Sequence, residues 1–402
     1  MKEGMSSKKA GRRLLVLLPA LFLVLAACGE DGEPEGEGEA GTYKIGVATG
    51  QTGYLAVTDG PTLEGFELGV DEINADGGID GQNQIELDIR NTESDPGLTA
   101  TTVGQLIEDG AQVILTPCDS DPSVAGGQVS QRAEIPTISL CATTPTMPDQ
   151  VGDYMFSSWY GDNATGYVLA NHARELGYET AWLHLSPDTQ YTQKLPEYFG
   201  ESFEAAGGEV LGETSYSIDQ QDFSAHTTEW ANLDPAPDVI FTSTYEPQLQ
   251  ALLQQYEAAG VESHFFAAEG MDTAASFELP NDVIEGVVYT TAGFEEPGSP
   301  LAEFNDKYEQ EYGEHPGSVF PAVGYDLAQI IAAAVTEAGT TEPTAVRDGL
   351  ANLEGVQGAT GTITYAGTNG MPIKQVALLE VKSAEPSLIE LVVPDADAIP
   401  AP

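Results

Sequence analysis

Residues 44–90 read KIGVATGQTGYLAVTDGPTLEGFELGVDEINADGGIDGQNQIELDIR, and the order of periodicities in this stretch decides the fold. It opens on a short apolar run, KIGVAT (44–49), suited to a strand buried on both faces. Residues 62–74 then place Leu63, Phe66, Val70 and Ile73 at helical spacing, and Asp76-Gly77-Gly78 stops the helix. IELDIR (85–90) is the next strand. Strand, helix and strand in that order make a βαβ unit with parallel strands.

The alternation continues downstream. A helix is predicted over 98–109, a strand at AQVILT (111–116), a helix over 124–133 and a strand at IPTISL (135–140). It resumes with a helix over 164–176, strands at TAWLHL (180–185), EVLGETSY (209–216) and DVIFTST (238–244), and helices over 195–206 and 247–259. HFFAAE (264–269) follows as a strand. Residues 320–338 are apolar all round, which predicts a buried helix. TITY (362–365) and VALLEV (376–381) read as antiparallel strands. The folded part is too long for one ordinary domain and suits two α/β lobes.

Upstream, Lys2, Lys8, Lys9, Arg12 and Arg13 precede an apolar run at 14–27. That run is shorter than the roughly 20 residues of a membrane-spanning helix, so it reads as an export signal. It ends Leu25-Ala26-Ala27-Cys28, which resembles the lipobox of bacterial lipoproteins and implies a signal peptide over 1–28 with lipid on Cys28. Stable anchoring takes more than one acyl chain. Residues 29–42 are expected to be a disordered acidic tether, since six of the thirteen residues in GEDGEPEGEGEAG (29–41) are acidic. The expected location is extracytoplasmic, on a membrane anchor.

Fourteen Lys and Arg against 64 Asp and Glu give a net charge of −50. Nucleic-acid binding needs a basic footprint and is excluded. The acids are spread along the chain, a pattern suited to high salt, where the Debye length shrinks to about 3 Å at 1 M. Removing Cys28 leaves Cys118 and Cys141, an even number in an oxidising compartment. His172, His184, His226, His264 and His315 are scattered, and neither H-E-x-x-H nor G-x-S-x-G occurs. NADGGIDG (74–81) lacks the ligand spacing of a calcium loop. The sequence therefore predicts no enzyme, no metal and no cofactor.

Ligands of open α/β sheets bind beyond the carboxyl ends of the strands. The candidates by that rule are 49 onward, 117–120, 141–144, 186–191, Tyr245-Glu246 and Glu269-Gly270, a set rich in hydroxyls, carboxylates and aromatics.

Over residues 43–385 the chain resembles the type I periplasmic binding proteins for leucine, isoleucine and valine, with their amide- and urea-binding relatives. The resemblance rests on GFELGVDEINADGGIDG (65–81), ESDP (93–96), ISLCATTP (138–145), YTQKL (191–195), FTSTYEPQLQALLQQYEAAG (241–260), AAEG (267–270) and GYDLAQIIAAA (324–334), in that order. It implies two Rossmann-like lobes, 43–159 plus 291–358 and 160–290 plus 359–395. Three crossovers near 158–162, 288–292 and 356–362 would join them, with hinge closure on a small polar ligand. It also implies a monomer that serves the membrane permease of an ABC transporter. The same fold serves as the ligand-receiving half of signalling receptors, so a sensing subunit for a separate receptor is the alternative.

By the same resemblance, Thr143 holds the ligand's carboxylate or amide oxygen, Cys141 contacts ligand through its backbone, and Glu269 pairs its ammonium. Tyr245 and Tyr191 close over it, and Thr58 and Phe320 are wall positions. Two departures stand out. Asp119 occupies a place where amino-acid binders carry Ser, and two like charges about 4 Å apart cost ~4 kcal/mol at an effective dielectric near 20. Either Asp119 faces the cleft and favours a cationic, amide or urea-like ligand, or Ser120 takes the Ser role. In addition, the family's disulfide partner for Cys118 matches Ser94, so a Cys118–Cys141 bridge is the alternative pairing.

Overall fold

The computed structural model describes residues 41–402. The signal at 1–28, Cys28 and the tether up to residue 40 lie outside the described residues. The first part runs β1 (Thr42–Thr49), α1 (Ala56–Ala75), β2 (Gln84–Asn91), α2 (Pro96–Glu108), β3 (Val113–Thr116), α3 (Ser120–Ala133), β4 (Thr137–Ser139), α4 (Met147–Val151) and β5 (Met155–Ser157). Its strands form one parallel sheet in the order β2-β1-β3-β4-β5.

The next part runs α5 (Asp162–Glu175), β6 (Thr180–Leu185), α6 (Gln190–Ala205), β7 (Glu209–Ser215), α7 (Ser224–Ala231), β8 (Val239–Thr242), α8 (Gln248–Ala259), β9 (His264–Phe266), α9 (Ala274–Phe277), α10 (Asn281–Ile284) and β10 (Val288–Thr291). After α11 (Pro300–Tyr312), α12 (Phe320–Ala338) and α13 (Pro343–Asn352) come β11 (Val356–Gly358), β12 (Gly361–Ile363), β13 (Val376–Lys382) and β14 (Glu385–Val392). The second sheet has the order β14-β13-β10-β9-β8-β6-β7, parallel from β10 to β7 and antiparallel at β13 and β14. The mixed α/β fold with helices flanking parallel sheets is the one the alternation predicts.

Helices start where side chains satisfy their free N–H groups. Asp95 accepts the Leu98 N–H at 2.7 Å with Pro96 in the first turn, and Ser299 accepts the Ala302 N–H at 3.2 Å ahead of Pro300.

The apolar helix at 320–338 is buried as expected, and it is α1 that covers it. The two helices meet through glycines: a Cβ on Gly65 would lie 1.7 Å from the Pro321 carbonyl oxygen, and one on Gly324 would lie 1.8 Å from that of Thr62. Chain separated by some 260 residues in sequence is thus joined into one layer. Asp326 of α12 is fully buried and accepts the N–H groups of Ala359 and Thr360 at 2.5 and 3.0 Å. Lys374, equally buried, lies 3.8 Å from it and donates to the Ser158 carbonyl at 3.4 Å. This pair ties the link that follows α13 to the link that follows β5. The burial of Asp326 is why Gly358 is glycine: a Cβ there would sit 2.5 Å from its carboxylate.

Some connections differ from the sequence reading. The strand at 288–291 is a full member of the second sheet, between β9 and β13, so the second link follows it at 292–299. TITY pairs with β11 rather than with VALLEV, whose partners are β10 and β14. β14 itself was unread because Pro386 and its half-exposed face give it no buried pattern, as befits an edge strand. No helix among the described residues is long and apolar enough to cross a membrane.

Candidate functional site

The segments that follow β3, β4, β6, β8 and β9 turn toward one buried cavity of about 30 Å³. Thr58 of α1, Cys118 after β3, and Cys141 and Thr143 after β4 supply one wall. Tyr191 in the first turn of α6, Tyr245 after β8, and Glu269 and Gly270 after β9 supply the other. Phe320, which opens α12, completes it. The parallel strands place these residues together because all of them end on the same side of their sheets. A single water takes about 10–15 Å³ on this scale, so the cavity as it stands has room for two to three waters.

Glu269 is the one acidic side chain in the cavity lining. It is 5 % exposed, and neither of its carboxylate oxygens has a hydrogen-bond partner. Burial pushes its carboxyl up to about 7. Asp162, the first residue of α5, is fully buried outside the cavity lining, within electrostatic reach of Glu269. Its backbone N–H donates to the Thr143 carbonyl at 2.8 Å, its Oδ2 accepts from the Thr144 hydroxyl at 3.3 Å, and its Oδ1 is unpartnered. Burial, then the charge of Glu269, hold the Asp162 carboxyl well above the usual range. The Tyr191 hydroxyl is also buried without a partner. Tyr191 and Tyr245 lie with ring centroids 5.0 Å apart, and Tyr54 approaches Tyr245 at 5.5 Å from the opposite wall.

Seven of the nine residues singled out in the sequence line this cavity. Asp119 and Ser120 do not. The helix expected from 124 begins at Ser120, with Asp119 as its N-cap, and this turns both side chains to local partners. Asp119 accepts the Ser120 N–H at 2.6 Å and the Tyr54 hydroxyl at 2.7 Å. The Ser120 hydroxyl accepts the Thr144 N–H at 3.3 Å. Cys118 and Cys141 are joined in a disulfide, Cα atoms 4.4 Å apart, that forms part of the wall. Asp162 and Tyr54 escaped the sequence reading. Asp162 follows a link rather than a strand, and Tyr54 stands in a glycine-rich turn with no periodicity. Outside the cavity lining, Asp121 in the first turn of α3 accepts from the backbone N–H and Nε2 of Gln190 at the start of α6. Among the described residues no group of His, Cys, Asp and Glu is placed to hold a metal.

The model of a family described as periplasmic binding protein matches residues 42–386. The leucine-, isoleucine-, valine-, threonine- and alanine-binding protein of Pseudomonas aeruginosa is 22 % identical over 311 residues, covering 77 % of this chain and 82 % of that protein. A leucine binding protein from Thermotoga maritima superposes with a TM-score of 0.80 at 22 % identity, over 88 % of this chain and 99 % of that one. An ABC transporter solute binding protein from R. palustris in complex with benzoate superposes at 0.78 and 19 % identity, over 90 % of this chain and 97 % of that one.

Proposed function

This chain belongs to the periplasmic binding protein family, and from that premise we propose that it is the extracytoplasmic solute-binding subunit of an ABC importer. It captures a small ammonium-bearing ligand of the amino acid or amide class and delivers it to a membrane permease. The lobes 43–159 plus 291–358 and 160–290 plus 359–395 close over the ligand as a monomer, anchored through lipid on Cys28. The dispersed acidity adapts its surface to high salt. It carries out no catalysis.

The observation that carries this reading is the Glu269 carboxylate, buried and unpartnered in a cavity built from the strand ends of both sheets. A buried carboxylate without a partner is costly, and an ammonium group relieves that cost. Thr143, Cys141 and Gly270 supply polar groups around it. Tyr191, Tyr245, Phe320 and Thr58 supply the walls, and the P. aeruginosa relative's amino-acid ligands fit such a division. The test is a thermal-shift panel of branched-chain amino acids, aliphatic amides, urea, polyamines and aromatic acids in high salt. Ligand at 100 times its Kd adds about 2.7 kcal/mol, a rise of several degrees. Glu269→Gln is expected to abolish the shift. A ligand that shifts the variant as much as the unsubstituted chain refutes the role of Glu269.

A further inference from the structure

A second cavity, of about 360 Å³ against about 30 Å³ at the strand ends, lies where the second sheet meets α11 and the start of α12. Its size falls within the range of small-molecule sites, roughly 300–1,000 Å³. Residues of β10, β13 and β14 form one side, and α11 with residues 315–319 forms the other. That other side is tied to the first sheet's layer through α1: the Tyr308 hydroxyl donates to Glu64 at 2.6 Å, and Lys307 pairs with Glu72 at 3.0 Å. The link at 293–295 and the end of α9 add Phe294 and Phe277, both half-buried. The acids in this lining are not equivalent. Exposed Glu295 is engaged, its Oε2 accepting from Asn305 at 2.6 Å and lying 2.9 Å from the Nε2 of His315, the one basic side chain in the lining. Asp272 is 7 % exposed, and its Oδ2 accepts the Thr291 hydroxyl at 2.6 Å and the Val319 N–H at 3.2 Å. Its Oδ1 accepts from no group among the described residues, and the buried Tyr289 hydroxyl, in the same lining, also lacks a partner.

We propose that this seam cavity is a second ligand site, separate from the one at the strand ends, that takes a small amine carrying an apolar ring, with the ring against Phe277, Phe294 and Leu301 and the ammonium on Asp272. The free oxygen of a buried carboxylate accepts most strongly from a cationic donor, and an ammonium relieves the cost of leaving that oxygen bare. An anion of the same shape meets Asp272 and Glu385 with no Lys or Arg in the lining to offset them. The half-buried phenylalanines offer apolar surface that a ring covers in the offset or edge contacts aromatic pairs favour. The inference stands whether or not the strand-end cavity holds the transported ligand.

Isothermal titration of the full chain with 2-phenylethylamine and 3-phenylpropionate tests this. Glu269→Gln serves as the parent, because an amine drawn to Glu269 has to be kept apart from one held by Asp272. The parent is expected to bind the amine at least about tenfold more tightly than the acid. Asp272→Asn and Phe294→Ala, each added to the parent, are expected to weaken the amine about tenfold while circular dichroism stays native. Phe294→Ala carries the test alone if Asp272→Asn fails to fold. Amine binding that is present in the unsubstituted chain and lost in Glu269→Gln places the amine at the strand ends, which overturns the second site and supports the reading of the first. No amine binding to either chain, equal binding of amine and acid, or unchanged amine affinity in the added variants overturns the proposal and leaves the strand-end site standing.

Discussion

Gln190, the first residue of α6, donates its backbone N–H and its Nε2 to the two carboxylate oxygens of Asp121, at 3.1 and 2.8 Å. Asp121 stands in the first turn of α3, so an acid beside one helix's amino end also caps the amino end of a helix on the opposite side of the cleft. The helix dipole favours that placement. Gln150 extends the contact, its Nε2 donating to the Gln190 Oε1 at 2.8 Å.

Breaking this contact is expected to weaken the closed form without touching the cavity. Asp121→Ala removes two hydrogen bonds to a charged acceptor, and a loss of about 1.4 kcal/mol corresponds to tenfold weaker binding. Calorimetric titration of the variant checks this. Unchanged affinity would mean that the contact does not hold the closed form.

Ligand affinity should rise with pH. Glu269 has its carboxyl raised to about 7 by burial, so near pH 5 it is protonated and has to lose that proton to pair an ammonium. Binding therefore strengthens from pH 5 toward 8 and releases a proton, which titrations in buffers of different ionisation enthalpy detect. The ligand-free fold behaves in the opposite sense. Glu269, and Asp59, Asp119 and Asp272 raised to about 6, bind protons more tightly folded than unfolded. Their contribution is largest below the ordinary carboxyl range and is lost as pH rises through 6 to 7. Denaturant midpoints that climb across that window would refute the assignment.

The disulfide closes a loop whose ends are separated by 23 residues. Chain-entropy reasoning gives about 3 kcal/mol for a loop of this size. Cys118→Ala with Cys141→Ala is expected to lower the unfolding free energy by that order, and to weaken ligand binding because both cysteines line the cavity. Equal denaturant midpoints for the two forms would exclude a stabilising role.

Salt should stabilise the fold. A net charge of −50 repels itself, and the cationic partners among the described residues are few and mostly at the surface, such as Lys44 with Asp88 and Arg90 with Asp88 and Asp109. Raising sodium chloride from 0.1 to 2 M is expected to raise the thermal midpoint by several degrees through screening. An unchanged or falling midpoint would show the acids to be spaced widely enough not to matter.

The sequence by itself determined the alternation of strand and helix, the parallel sheets, and the loops that hold the chemistry, because hydrophobic period and stop signals act locally. Seven cavity residues could be named from their places after strands and from family resemblance. What only the tertiary structure decided depends on groups distant in the chain. The crossing of α1 with α12 rests on Gly65 and Gly324 meeting backbone. The place of β14 rests on an edge that β13 leaves open. Asp119 could be read as facing the cleft until α3 was seen to begin one residue after it, with Tyr54 bound to its free oxygen. Asp162 leaves no signal in the sequence, because an acid at the start of a helix usually serves only as a cap or a solvated end. Only its hydrogen bonds with the Thr143 carbonyl and the Thr144 hydroxyl hold it inward, where burial and the Glu269 charge raise its carboxyl.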